Sequence, residues 1–186
     1  METTILGVAC KVSDSLKTTL VLVESTKEME AAAMAYKNDY IRHGESHING
    51  SSSFMSYSNY DEWLDKVRSA TFLNVPATTF FTIRSEDGKI VGSIQLRHEL
   101  SEDLRKRGGH IGYGVCPSER KKGYGSVQLA LVLEKARELH IPRVMISCDK
   151  ENIASAKVAI NNGGRLEWEG YDEMDGDIKI YWIDLT

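Results

Sequence analysis

The stretch between Ile111 and Ser126 constrains this chain more than any other. An apolar run, Ile111-Gly112-Tyr113-Gly114-Val115, is followed by the basic turn Arg120-Lys121-Lys122-Gly123-Tyr124-Gly125-Ser126, and a long amphipathic pattern starts near Val127. A strand that passes through a basic, glycine-bearing turn into a helix makes a phosphate cradle. Glycine lets the backbone approach an anion, the helix start offers unpaired N–H groups at the positive end of its dipole, and the basic side chains add charge. The ligand implied is a nucleotide-like polyanion.

Two common nucleotide loops are absent. No Gly-x-x-x-x-Gly-Lys-[Ser/Thr] occurs, and Gly123-x-Gly125 is followed by Gln128 where a dinucleotide fold carries its third glycine. What remains, Arg120-x-x-Gly123-x-Gly125 after a strand ending in Val115, resembles the pyrophosphate loop of the GCN5-related N-acetyltransferases, the GNAT superfamily. Downstream, Arg143-Val-Met-Ile-Ser-Cys-Asp149 reads as a buried strand, and Asn152-Ile-Ala-Ser155-Ala-Lys157 opens a helix that ends at Gly163-Gly164, in the family's order. The resemblance covers roughly Val91 to Leu185 and looks closest to the ribosomal-protein-alanine-acetyltransferase-like branch and to bacterial acetyltransferases with varied acceptors. It implies acetyl-CoA as co-substrate and no metal. It also implies coenzyme contacts at Gly114, Val115, Arg120, Lys121, Lys122, Gly123, Tyr124, Gly125, Ser126, Asn152 and Ser155. The fold implied is of the α/β (α+β) class: a mixed, mostly antiparallel sheet of about six to seven strands flanked by about four helices.

Length and composition agree with one core. The chain has 186 residues, 41% of them hydrophobic, and reads as a single domain over 1–186. A net charge of -4 argues against a general nucleic-acid binder, although basic residues gather at Arg105-Lys106-Arg107 and Arg120-Lys121-Lys122. Cys10, Cys116 and Cys148 are too scattered for a disulfide framework or zinc site. The start lacks a basic signal-peptide region, and no apolar run nears the roughly 20 residues that span a bilayer, so a cytoplasmic protein without membrane attachment is expected.

Along the chain, residues 1–17 suit either an extra strand or a mobile arm. Thr19–Val23 reads as the first core strand, and Ser25-x-x-Glu28 as a capping box for a helix through about Ile41. A small, polar loop from His43 to Ser58 joins a second helix, Tyr60 to about Ala70. Thr78–Arg84 and Ile90–Arg97 pair as strands across Ser85-Glu-Asp-Gly-Lys89, a hairpin signal, and a looser segment runs from Glu99 to Gly109. The helix after the basic turn stops before Pro142, and Arg165–Glu169 and Ile178–Ile183 form a closing hairpin around the acidic turn Asp175-Gly176-Asp177.

Acetyl transfer to an amine requires a base, a polarised carbonyl and an exit for the thiolate. Glu99, His98 and His110 are the candidate bases, with Glu99 preferred. By family analogy, a backbone N–H near Tyr113 to Val115 polarises the carbonyl. Many relatives place a tyrosine seven residues after the asparagine as general acid, and here that position is Ala159. Tyr113, Tyr124, Tyr181, water or unassisted departure remain for the role. Cys116 reads as a small filler rather than a nucleophile. In the family the first two helices and their loop wall the acceptor site, which nominates Glu45, His47 and Asn49.

The function expected is acetyl-CoA-dependent transfer, in a ternary complex, to a primary amine of a small molecule or of a protein N-terminus or lysine. Two alternatives stand beside it: an idle acyl-CoA-binding or sensing domain, suggested by Ala159, and an RNA-associated module using Arg105-Lys106-Arg107. No DNA partner is expected, and a homodimer is compatible with the C-terminal hairpin.

Overall fold

The computed structural model describes residues 19–174 and 176–185. The arm read at 1–17, Cys10, and Asp175 of the acidic turn lie outside the described residues. Eight strands and five helices follow in the order β1 (Leu20–Glu24), α1 (Glu30–Arg42), α2 (Tyr60–Arg68), β2 (Thr71–Phe72), β3 (Val75–Arg84), β4 (Lys89–Arg97), α3 (Glu102–Lys106), β5 (Ile111–Val115), α4 (Tyr124–Glu138), β6 (Arg143–Asp149), α5 (Ile153–Asn161), β7 (Arg165–Asp172) and β8 (Gly176–Asp184). One sheet runs β1-β3-β4-β5 with β2 beside β3, and a second runs β6-β8-β7; every ladder among the described residues is antiparallel. This is the α/β arrangement the sequence implies.

Three local readings change. Ser25 does not cap α1: a 3₁₀ turn, Lys27–Met29, precedes the helix, with Thr26 at its N-cap position and the Ser25 hydroxyl unpartnered. The loose segment contains α3, whose start is capped by Ser101 accepting from the Leu104 N–H at 3.3 Å. Strand β3 begins three residues earlier than its β-branched run because Val75 and Pro76 pair with β2.

Helices cover both faces. On one face α4 and α5 pack Leu129, Val132, Leu133, Ala156 and Ala159 against Ile94, Ile111, Val144 and Ile146, a core that spans both sheets. On the other, α1 and α2 place Tyr36, Tyr40, Trp63 and Leu64 against Phe81 and Ile90. The 43–58 loop is part of that second layer. Ile48 and Phe54 are fully buried, Trp63 donates its indole N–H to the Ser51 carbonyl at 2.8 Å, and Phe54 and Trp63 rings lie 4.3 Å apart.

The alternating glycines of β5 follow from that layer. A Cβ on Gly114 would stand 2.9 Å from both the Asn49 carbonyl and the Tyr40 hydroxyl, and one on Gly50 would stand 2.3 Å from the Gly112 carbonyl. The loop therefore lies on the strand at backbone distance. Gly50→Ala, at φ +70° with no room, is expected to lower stability by roughly 2–4 kcal/mol, whereas Gly88→Ala, at φ +68° with open space, should cost only about 1 kcal/mol. Urea denaturation of the two variants checks the difference.

Candidate active site

The pairing register of β5 decides which of its backbone groups are free. The bonds that close the β4–β5 ladder, Arg97 N–H to His110 C=O at 2.8 Å and Cys116 N–H to Val91 C=O at 2.9 Å, together with the Gly112↔Gln95 and Gly114↔Ser93 pairs, show that Gly112 and Gly114 bond β4, as does His110 through its carbonyl alone. The odd-numbered Ile111, Tyr113 and Val115 thus turn their N–H and C=O groups to the other edge. That edge meets β6 only at its beginning. Gly108 N–H reaches Ser147 Oγ at 2.8 Å, His110 N–H reaches Met145 C=O at 2.8 Å, and Met145 N–H returns to His110 Nδ1 at 2.9 Å. Past this clamp no ladder joins β5 to β6 among the described residues, and a wedge opens between the sheets.

At the far end of the wedge, α4 begins uncapped. Gly123 sits at φ 83° as its N-cap, and the N–H groups of Gly123, Tyr124 and Gly125 have no acceptor among the described residues. The basic side chains are less available than the sequence suggests. Arg120 forks onto Glu45, Nη1 to Oε1 at 2.6 Å and Nη2 to Oε2 at 2.8 Å, while its Nε donates to Val115 C=O at 3.1 Å. Lys122 bonds Glu119, a buried carboxylate shared with Arg84 and Lys89; burial opposes its ionisation, but these cations hold it down at about 2. Lys121 is exposed and has no ion-pair partner among the described residues. Tyr124 turns its ring into the core and accepts from Arg84 Nη1 at 3.2 Å; Ser126 accepts from Asn161. Gly125 makes room for α5 as well as for an anion, since a Cβ there would stand 3.0 Å from Val158.

Inside the wedge, Tyr113 points to α5, with its hydroxyl 2.8 Å from Ser155 Oγ and 3.1 Å from the Ser155 carbonyl. Burial raises its pKa above the usual phenol value, against the opposing bond to Ser155. Asn152 caps α5 by accepting from Ser155 N–H at 3.0 Å. Ala159 lies fully buried, one helical turn after Ser155 on the same helix face. A Cβ on Gly164 would stand 2.7 Å from the Ala159 carbonyl, so the turn after α5 packs closely on Ala159.

At the opposite end of β5 are the candidate bases. His98 Nε2 lies 2.9 Å from Thr78 Oγ1, and burial lowers its pKa. Glu99 is exposed at the bend after β4, with no hydrogen-bond or ion-pair partner among the described residues. His110 is buried, its Nδ1 already accepts from Met145, and burial, then Arg105 and Arg97, pull its pKa down to about 4. It is a neutral structural clamp in these contacts. On the 43–58 loop, Glu45 is held by Arg120, His47 is exposed, and Asn49 turns its carbonyl to Ser93 Oγ at 3.1 Å. Cys116 is buried and donates to Asp39 Oδ2 at 3.0 Å; burial and that carboxylate push the thiol up to about 12, so it stays protonated. The basic triplets at 105–107 and 120–122 bracket β5 from opposite ends and form no single patch.

Sequence reasoning missed two elements of the site. Gln128 is fully buried and donates from Nε2 to the Gly114 carbonyl at 3.3 Å, tying α4 to β5. Arg97 is buried beneath the turn that opens β5, where a basic residue at the end of an apolar strand gave the only signal. Among the described residues no group of three His, Cys, Asp or Glu could hold a metal ion, and no helix is long and apolar enough to cross a membrane.

A strand with a free edge running into an uncapped, glycine-started helix defines a coenzyme-binding acyltransferase layout. A family profile described as "Acetyltransferase (GNAT) domain" matches residues 20–165, and the chain belongs to that family. Comparison by sequence with curated proteins finds no match. Among solved structures, the chain is similar to Mycobacterium smegmatis RimJ in complex with CoA-disulfide, with 18% identity, TM-score 0.68, and coverage of 89% of this chain and 82% of that one. It is also similar to the Salmonella typhimurium acetyltransferase that modifies the N-terminal serine of ribosomal protein L7/L12, with 20% identity, TM-score 0.63, and 90% and 95% coverage. Mutant forms of the spermidine/spermine N-acetyltransferase SpeG of Vibrio cholerae are similar at 15% identity, TM-score 0.62, and 89% and 94% coverage. At these identities the likeness is one of fold.

The His110 clamp has a pH signature. The unfolded chain takes up a proton below about 6.5, the folded one only near 4, so the unfolded state binds more protons between these values. Stability should fall as pH drops from 6.5 to 4. His110→Asn, whose Oδ1 can accept from Met145 N–H, should show a shallower fall when denaturation is followed across that range.

Proposed function

We propose that this acyltransferase moves an acetyl group from acetyl-CoA to a primary amine by direct transfer in a ternary complex. The observation that carries the reading is the free edge of β5 leading into the open amides of Gly123, Tyr124 and Gly125. Those amides and the exposed Lys121 suit a pyrophosphate, and Ile111, Tyr113 and Val115 offer the extended pairing partners that an amide-bearing pantetheine arm takes up. The coenzyme, when bound, supplies the activated thioester.

The chain supplies the remaining chemistry. Tyr113 N–H sits on the free edge as donor to the carbonyl oxygen on which charge develops. Glu99, at the other end of β5 and without a competing partner among the described residues, takes the proton from the amine, directly or through water. The Tyr113 hydroxyl, delivered from β5 to the helix face one turn before Ala159, stands in for the missing tyrosine. Because burial raises its pKa, it acts on the departing sulfur mainly as a hydrogen-bond donor. Similarity to a protein N-terminal transferase and to a polyamine transferase leaves both acceptor classes in play.

Release of coenzyme A thiol from acetyl-CoA, with and without a panel of polyamines, amino acids and peptide N-termini, tests the reading. Acceptor-dependent release supports it. Saturable binding without release supports instead the idle binding domain that Ala159 favours. Tyr113→Phe should lower kcat about 10- to 100-fold while leaving the acetyl-CoA Kd within about threefold. Glu99→Gln should lower kcat/KM at neutral pH by about 10²-fold or more, with the loss shrinking as pH rises and the amine deprotonates unaided. Steady-state kinetics and calorimetry read both.

A further inference from the structure

Among the described residues, Arg97 is a buried cation without a counter-ion. It is only 7% exposed, yet no carboxylate pairs with it among the described residues. Its Nη1 donates to the carbonyls of Gly108 and Gly109 at 2.7 and 2.8 Å, its guanidinium lies 4.5 Å over the Phe72 ring, and its Nε has no partner. Buried charges are ordinarily paired, because desolvation costs more than dipoles alone return. Burial accordingly draws its pKa down to about 10, with no acid to offset it.

The guanidinium faces the reacting end of β5. A Cβ on Gly112 would stand 3.2 Å from Arg97 Nη2 and 3.6 Å from Gly50 N, so the guanidinium lies against the side-chain-free face of Gly112. Arg97 bonds His110 at the start of β5, whereas the uncapped helix lies beyond its end, roughly 13–17 Å away at strand rise. Coenzyme phosphates on that helix are therefore too far to neutralise it. Gly112 adjoins Tyr113, the residue whose free N–H is placed at the acyl carbonyl.

We propose that Arg97 is the subsite for a carboxylate carried by the reacting groups, which makes this transferase selective for an anionic substrate. The inference rests on the transferase reading above. The carboxylate has two sources within reach, an amino-acid-like acceptor whose amine and carboxylate lie a few ångströms apart, or a dicarboxylic acyl group on the coenzyme. Electrostatic pairing with a pre-placed guanidinium then adds roughly 10- to 100-fold in specificity over the uncharged analogue.

Paired substrates test it. In one arm each of a panel of amino acids is compared with its carboxamide using acetyl-CoA; in the other, succinyl-CoA is compared with butyryl-CoA using the carboxamides. The wild type should prefer the carboxylate member roughly 10- to 100-fold in kcat/KM in one arm, which names the source. Arg97→Gln, which keeps a donor for the glycine carbonyls, should erase that preference, lowering kcat/KM for the carboxylate member roughly 10- to 100-fold more than for the uncharged one. Equal rates in both arms, or an equal loss for both members in Arg97→Gln, would overturn the proposal, the latter marking a purely structural clamp. Calorimetry with coenzyme A and an N-acetyl amino acid or its carboxamide separates failure of this subsite from failure of the transferase reading. Acceptor-dependent release of coenzyme A thiol with any member of the panel reports on the latter, and tighter binding of the acid than of the amide, lost in Arg97→Gln, on the former. If Arg97→Gln does not fold, Arg97→Lys keeps the charge without the fork and should retain a reduced preference; an unchanged or absent preference would contradict the assignment.

Discussion

Pairing of β5 with β6 stops at the two-bond clamp between His110 and Met145, and the site follows from that stop. Backbone polar groups need partners. Within a sheet interior the odd-numbered groups of β5 would find them on β6; here the Val115 carbonyl is taken by Arg120 Nε, and the N–H groups of Ile111, Tyr113 and Val115 with the carbonyls of Ile111 and Tyr113 border a wedge, where solvent or a ligand with amide groups of its own must meet them. The clamp is side chain as well as main chain: the imidazole accepts from Met145, and its burial keeps it neutral and able to do so.

The second constraint is close packing without side chains. Gly50, Gly112 and Gly114 let the 43–58 loop rest on β5, and the aromatic layer of Phe54, Tyr60, Trp63 and Phe81 fixes that loop to the sheet. The fork between Arg120 and Glu45 links the same loop to the start of α4. The 43–58 loop and the turn before α4 are thus joined at the C-terminal end of β5. Both partners of the fork are substantially exposed, so the pair adds little stability and is open to competition from a bound anion.

Much of this was legible in the residues, and the exceptions have physical reasons. The strand–turn–helix at Ile111–Ser126 announces itself because local periodicity, glycine and charge agree within one short segment. The Asp87-Gly88 hairpin is local for the same reason. Strand β2 was missed because two residues carry no period, and α3 because one turn of helix shows only its Ser101 cap. The occupancy of Arg120 by Glu45, 75 positions away in sequence, and of His110 by Met145 depends on tertiary contacts that no window of sequence holds. Glycines 112 and 114 invite a reading as ligand-facing, but their missing side chains first of all admit Asn49, Gly50 and Tyr40.

Coenzyme binding at the wedge depends on the alternation along β5, and amide-resolved NMR during an acetyl-CoA titration tests it most directly. The amides of Tyr113 and Val115, with those of Gly123 to Gly125, should shift and gain exchange protection, while Gly112 and Gly114, already bonded to β4, gain none. Binding that left the odd-numbered amides unprotected, or protected the even-numbered ones instead, would contradict the wedge as the coenzyme site.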